Sequence, residues 1–246
     1  MASCRVAFLF LTIQGLSRED LWRQFFQGAD PGQYRIYCHP KYPDRVPRTS
    51  LLYPHIIEGH VKTHWACISL VKATILLLQE AVKDASTVRF ILVSDTCIPI
   101  VSFACVYQEV MAQSTSSFCY NPQYADSIDI QGRYKRYKNK KMIPMKSFMK
   151  AHQWWILDRP GALLCAEGRH VHDFEKVFAS DEHYFINICK VYHIPFQNRQ
   201  RTFVEFEYER SHPRVFHEIS LSFLEHLRQR GYLFMRKIKS PTLFIP

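Results

Sequence analysis

Residues 89–100 read RFILVSDTCIPI, and the interpretation of this stretch decides the fold. Its apolar, β-branched run is short and stops at a Ser-Asp turn, the mark of a strand rather than of a helix. Working outward, HWACISLVKATILLLQEAVKD (64–84) is long and helical in period, and YRIYCHP (34–40) alternates as a strand does. SREDLWRQFF (17–26) carries helical apolar spacing behind Ser17 and Asp20, placed as in a capping box. VAFLFLTI (6–13) reads as a strand buried on both faces. The order strand, helix, strand, helix, strand predicts a parallel sheet wound in the Rossmann manner. Ligands of such sheets bind at the carboxyl ends of the strands, so the segments after Ile13, Cys38 and Val93 are expected to border a crevice. No GxGxxG or Walker loop stands there.

The second half offers SFCYN (117–121) and QWWILD (153–158) as strands and DEHYFINICKVYH (181–193) as a helix. RTFVEFEY (201–208) reads as a further strand, SLSFLEHLRQRG (220–231) as a closing helix, and YLFMRKI (232–238) as a last strand. No repeat, low-complexity tract or linker interrupts the chain, so one α/β domain with a mixed sheet is the expectation for residues 1–246.

With 246 residues, 47% of them hydrophobic, the chain can bury a large core. Its net charge of +10 suits an anionic partner, whether nucleic acid, membrane surface or phosphorylated small molecule. The apolar run within MASCRVAFLFLTIQGL (1–16) is too short for a bilayer span and lacks a small-residue cleavage site, which predicts neither leader nor anchor. Of the 8 cysteines, Cys67, Cys97, Cys105 and Cys189 lie in apolar segments and no CxxC occurs. They read as free thiols of a reducing compartment, with a disulfide set as the alternative.

Three stretches carry candidate chemistry. GRYKRYKNKK (132–141) interleaves Tyr134 and Tyr137 with six Lys or Arg, a mixture that stacks on bases or on sugar faces, or is simply a solvated loop. HVHD (170–173) completes no metal set. SDTCIP (94–99) places Asp95 after a central strand, where many nucleotide-sugar transferases carry a metal-binding Asp-x-Asp; the second acid is missing. A diphosphate here needs other cations, and Arg214 in SHPRVF and Lys237 in FMRKI are candidates because each sits in or beside an apolar run. Finally, FASDEHYFINIC (178–189) puts Asp181, Glu182 and His183 in what reads as a first helical turn behind Ser180. Capping and the helix dipole account for one of these carboxylates, leaving the second to be explained.

Taken in order, AFLFLTIQGL, LWRQFFQG, YRIYCHP, RFILVSDTCIPI, HQWWILDR, DEHYFINIC and FMRKI resemble the core-2/I-branching enzymes of glycosyltransferase family 14. The plant-type branch is the nearest in look, with its SxxCIPL turn, SQWF strand, DEHY helix start and FARKF terminus. The resemblance implies a GT-A-like fold with a Rossmann-type N-terminal half and a mixed central sheet. It further implies a nucleotide-binding half over about residues 1–113 and an acceptor and catalytic half over about 114–246.

The implied activity is the inverting transfer of a sugar, typically N-acetylglucosamine, from a UDP-sugar to a hydroxyl of a glycan or glycoprotein, with no metal cofactor. On the same resemblance Glu182 matches the catalytic base, Arg214 and Lys237 the diphosphate cations, and Asp95 lies on the donor side. Phe206 and Tyr208 fall where the animal enzymes hold an acceptor sugar. Arg133, Lys135, Arg136 and Trp154 join the acceptor side. Asp181 is then left to the helix cap and His183 to structure. The animal enzymes are Golgi proteins with an anchor and luminal disulfides, whereas this chain begins near its first strand, so a cytoplasmic location is expected, a Golgi or ER lumen being the alternative. The competing readings are an RNA-binding protein and a catalytically inactive glycan-binding relative, both using residues 132–141.

Overall fold

A strand whose successive residues are all buried must have a layer on each face, and Val6–Thr12 is such a strand. The computed structural model describes residues 4–122, 127–206 and 212–245. Along them run β1 (Arg5–Thr12), α1 (Glu19–Phe26), β2 (Tyr34–Pro40), α2 (Ile68–Ala81), β3 (Thr87–Ser94), β4 (Ile98–Pro99) and α3 (Phe103–Met111). β5 (Ser116–Phe118), α4 (Ile128–Lys135), β6 (Ile156–Asp158), α5 (Arg159–Ala166), α6 (Tyr184–Val191) and β7 (Phe196–Asn198) follow. The chain closes with β8 (Thr202–Val204), β9 (Phe216–Ser220), α7 (Leu221–Gln229), β10 (Phe234–Arg236) and β11 (Ile238–Ile245).

The main sheet has the order β2-β1-β3-β6-β5-β7. It is parallel from β2 through β3, as the Rossmann reading predicts, and turns antiparallel at β6 and β5, with β7 parallel to β5. The sheet is therefore mixed at its centre. A three-stranded sheet, β4-β10-β8, starts from the turn that follows β3, and β9 pairs with β11. α2 packs against β1, β2 and α5 on one face, burying Val71, Ile75, Leu77 and Leu78. Among the described residues no helix is long and apolar enough to cross a membrane.

On the other face α1 inserts Trp22, Phe25 and Phe26 against Phe8, Phe10 and Phe103. Trp22 does more than fill space. Its Nε1–H donates to the Cys97 carbonyl at 2.9 Å, and its ring lies 6.0 Å from that of Phe234, at 20°. One side chain thus holds α1, the turn after β3 and β10 in register with each other.

Several local expectations change. Ser17 and Asp20 form no capping box: the N-cap of α1 is Arg18, whose guanidinium donates to both oxygens of Asp20 at 2.9 and 2.6 Å. Ser180 is no cap either, because residues 180–182 make a separate 3₁₀ turn and the Ser180 hydroxyl is buried without a partner. Residues 132–141 are not an open loop. They begin inside α4, which is capped by Ser127, and Tyr137 is only 1% exposed among Phe148, Phe174 and Tyr134. The strand expected over 201–208 shortens to β8, because Phe206 leaves it to bridge Pro213. The eight cysteines are free thiols in the structure, four of them buried.

Trp22→Ala is expected to destabilise the fold by about 3–5 kcal/mol. Trp22→Phe, which keeps most of the ring but orphans the Cys97 carbonyl, should cost about 1–3 kcal/mol. Urea denaturation of the two variants checks both figures; a Trp22→Phe protein as stable as wild type would remove the joint assigned to the indole N–H.

Candidate functional site

The acidic turn is fixed from both sides by main-chain bonds. Ala179 N donates to Ala66 O at 2.9 Å, Glu182 N to Ala179 O at 2.9 Å, and Ala151 N to Glu182 O at 2.8 Å. Ala66 and Ala179 both hold left-handed backbone, at φ of 56° and 49°. That conformation costs an L-residue about 1–2 kcal/mol, so the turn is held in place against a local preference.

Beneath it, His183 is fully buried, its Nδ1 2.8 Å from Met149 O and its ring stacked on Phe148. Burial drives its proton affinity down to about 3, so it is a neutral, structural imidazole.

The turn forms one wall of a cleft of about 590 Å³. Four cations, Arg133, Lys150, Arg236 and Lys237, and two acids, Asp181 and Glu182, line it. Glu182 uses one oxygen to anchor itself: Oε2 accepts from Arg133 at 2.7 Å and pairs with Lys150 at 3.5 Å. Oε1 accepts no hydrogen bond among the described residues. Arg133 is in turn tied to Asp129 at 3.0 Å and stacked over Phe178. It therefore positions the Glu182 carboxylate rather than standing free for an acceptor. Lys135 and Arg136 are exposed and lie outside the cleft wall.

Asp181 is the acid that the sequence reading misjudged. It caps nothing: it is 7% exposed, its Oδ1 has no partner, and it faces the cleft. Burial first, and the Glu182 charge second, push its carboxyl up to about 7, with Arg133 and Arg236 opposing.

Lys237 lines the cleft as predicted, and burial and the adjacent Arg236 lower its proton affinity. The strand end that carries it is pinned where Ile238 N meets Thr96 O at 2.9 Å. Arg214 does not share that position. Its backbone neighbours Lys237, but its guanidinium pairs with Glu205 at 3.0 Å and lies over Phe216, outside the wall. Asp95, at the end of β3, accepts from Ile13 N at 3.3 Å. Burial raises its carboxyl, while Arg236 and Lys237 offset part of that rise.

Three exposed aromatic rings surround the mouth. Phe206 is 48% exposed, Phe178 45% and Trp65 61%. Trp65 sits 5.6 Å from Phe178 and 4.9 Å from His212, while His152 meets Phe206 edge-on at 5.6 Å. Apolar rings next to hydrogen-bonding groups suit the two faces of a sugar. Trp154 is not among them: it is 7% exposed and carries the Arg236 guanidinium 4.2 Å above its ring. Tyr208 lies outside the described residues.

Sequence reading missed Trp65, Lys150, His152 and Arg236. For Arg236 the signal was present, an arginine inside the apolar run FMRKI beside the lysine that was chosen. Among the described residues no three His, Cys, Asp or Glu side chains come together as a metal set.

The sequence profile of the Core-2/I-Branching enzymes matches residues 6–228. Over 174 residues the chain is 31% identical to glycosyltransferase BC10 of Oryza sativa subsp. japonica, covering 69% of this chain and 42% of that protein. Among solved structures it is similar to the WbbM bifunctional glycosyltransferase in its apo form, at 8% identity and a TM-score of 0.48, covering 96% of this chain and 45% of that one. The chain thus spans less than half the length of the curated relative it matches.

The buried Asp181 sets a pH dependence of stability. Below about pH 4 it is protonated folded and unfolded alike. Between there and about 7 only the unfolded state ionises it, so the stability due to the raised affinity is lost as pH rises through that window. Asp181→Asn cannot ionise, and is expected to gain on wild type by a few kcal/mol, as an order of magnitude, from about pH 5 to about pH 8. Paired denaturation curves at the two values measure it; a constant difference would place Asp181 in a solvated environment.

Proposed function

The chain belongs to the Core-2/I-branching enzyme family, and on that premise we propose that it is an inverting, metal-independent glycosyltransferase moving a sugar from a UDP-sugar to a hydroxyl of a glycan or glycoprotein. Its architecture, Rossmann-wound at the N-terminal end and mixed at the centre of the sheet, is GT-A-like. N-acetylglucosamine is the sugar we assign first.

The observation that carries the reading is the state of Glu182. Inversion needs one carboxylate to take the proton of the acceptor hydroxyl as it attacks from the face opposite the leaving group. Glu182 is held through Oε2 by two cations and lines the cleft, and among the described residues its Oε1 accepts no hydrogen bond. The aromatic mouth of Phe206, Phe178 and Trp65 adjoins it on the side assigned to the acceptor.

Lys237 is assigned to the departing diphosphate, whose growing negative charge a positioned ammonium stabilises. Arg214 joins it only on releasing Glu205. RNA binding through residues 132–141 has little support, because Tyr137 is buried where no base can stack on it.

Glu182→Gln keeps size and shape but cannot accept the proton, so turnover of a UDP-sugar should fall by ~10²–10⁴ with UDP affinity unchanged. Transfer in the wild type should persist in excess EDTA. Near-normal transfer by Glu182→Gln would place the base elsewhere, and loss of wild-type transfer on chelation would restore a metal to the mechanism.

Lys237→Ala should weaken UDP binding about 10- to 100-fold, the loss of one charge-assisted contact worth about 1.5–3 kcal/mol. Calorimetric titration with UDP reads it directly, and an unaltered affinity removes Lys237 from the diphosphate.

A further inference from the structure

Beside the cleft lies a second, smaller pocket of about 170 Å³, and the two share Tyr120, Asn121 and Lys150 along a common rim. Its charge is of one sign. Lys146, Lys150 and Lys190 line it, and no carboxylate of the described residues does. Lys146 stands in a 3₁₀ turn over Met145–Ser147 and Lys190 in the last turn of α6. The Lys190 ammonium donates to Ser147 O at 3.3 Å, which brings it beside the turn that carries Lys146. Lys150 is shared with Asp129 at 3.4 Å and Glu182 at 3.5 Å, whereas among the described residues neither Lys146 nor Lys190 pairs with an acid. Like charges gathered around one concavity repel each other, and apolar walls focus their field, so the pocket favours an anion. Ile130 and Phe148, each 1% exposed, are those walls.

The pocket is formed before any ligand enters it. Tyr120 bridges Ala151, and its main chain exchanges hydrogen bonds with the Asn198 amide at 3.0 and 2.8 Å. Met149, between the two lysines of the same segment, is held likewise by Asn187 at 3.0 and 2.8 Å.

Size and position select the occupant. The volume is well below the roughly 300 Å³ at which pockets begin to enclose a whole small molecule, so it suits one charged substituent of a larger ligand that lies across the rim. Lysine ammoniums act as point charges, without the planar fork by which an arginine prefers one anion geometry, so a carboxylate and a sulfate ester suit them alike. On the cleft side of the rim Lys150 holds Glu182, assigned to the acceptor proton, while Lys237, assigned to the diphosphate, lines the cleft and not this pocket. A ligand reaching from the pocket toward Glu182 therefore lies on the acceptor side.

Resting on the reading of the cleft as a UDP-sugar transferase site, we propose that this pocket is an acceptor subsite for a negatively charged sugar, so that the preferred acceptor is a glycan bearing a carboxylate or a sulfate ester. Lys146 and Lys190 bind the anion, and Lys150 joins the subsite to Glu182. The subsite orients the acceptor and changes no bond of the transfer.

Amide NMR titrations, which read millimolar affinities, test this at low, fixed ionic strength in EDTA. The probes are glucuronate, glucose 6-sulfate, glucose and inorganic sulfate, each with and without saturating UDP, on wild type, Lys146→Gln, Lys190→Gln and the double variant. Wild type is expected to bind glucuronate or glucose 6-sulfate at least about fivefold more tightly than glucose, with UDP bound or not. Each single variant should weaken the charged sugars about threefold and the double variant about tenfold, leaving glucose and UDP affinities within about twofold. Both lysines are exposed, so the substitutions spare the fold, and thermal melts check it. Charged sugars that bind no better than glucose, or that ignore the double variant, overturn the subsite. Displacement by UDP would put the anion on the diphosphate site, and inorganic sulfate bound as tightly as either charged sugar would leave a simple anion site; each overturns the acceptor assignment. A wild type that binds no UDP overturns the transferase reading and the acceptor role with it, while the lysine variants separately decide whether the pocket holds a charged sugar.

Discussion

The hydrogen bond from the Trp22 indole to the Cys97 carbonyl is the interaction on which the rest of the arrangement depends. An indole N–H buried in an aromatic cluster must find an acceptor, and here the acceptor lies in the turn that ends the Rossmann-like half. Because the same ring stacks on Phe234, the bond also fixes β10, the strand that carries Arg236 and leads into Lys237. The N-terminal sheet thereby sets the position of cations that arrive more than a hundred residues later in the chain. Ile98 and Ile100 extend the tie by packing with Phe216, Leu227, Met235 and Ile238 in a second apolar cluster.

On that frame the cleft is an electrostatic arrangement with few free members. Glu182 is paired, Arg133 is shared between two acids, and Arg214 is occupied by Glu205. Asp181 stands apart from this pairing, buried in the cleft wall with its Oδ1 unpartnered. The neutral His183 below it adds no charge, which keeps the field at the turn the work of the acids and cations already named.

Much of the fold was legible because burial leaves a period in the sequence. β1, β2, β3 and α2 follow their predicted segments closely, since each buries a continuous or helically spaced apolar set. Glu182 and Lys237 were legible by resemblance and do line one cleft. Reading failed where a polar group had two local options. Asp20 could cap its helix or bind Arg18, and took the fork of the arginine. Asp181 looked like a cap because its neighbours do, but a 3₁₀ turn carried it into the wall. Tyr134 and Tyr137 looked like a stacking surface, but both rings pack against Phe148, Tyr137 buried and Tyr134 partly so.

By itself, then, the sequence determined the order of elements, the parallel start of the sheet, the family and the two charged residues with a matching motif, because hydrophobic period and short motifs are local properties of the chain. Only the tertiary structure decided which charges are paired and which are not. It placed Arg133 on Glu182 across 49 positions and turned Arg214 onto Glu205, and it set Arg236 over Trp154. Pairing is a matter of distances of a few ångströms between residues far apart in the chain, and no local pattern of residue types encodes those distances.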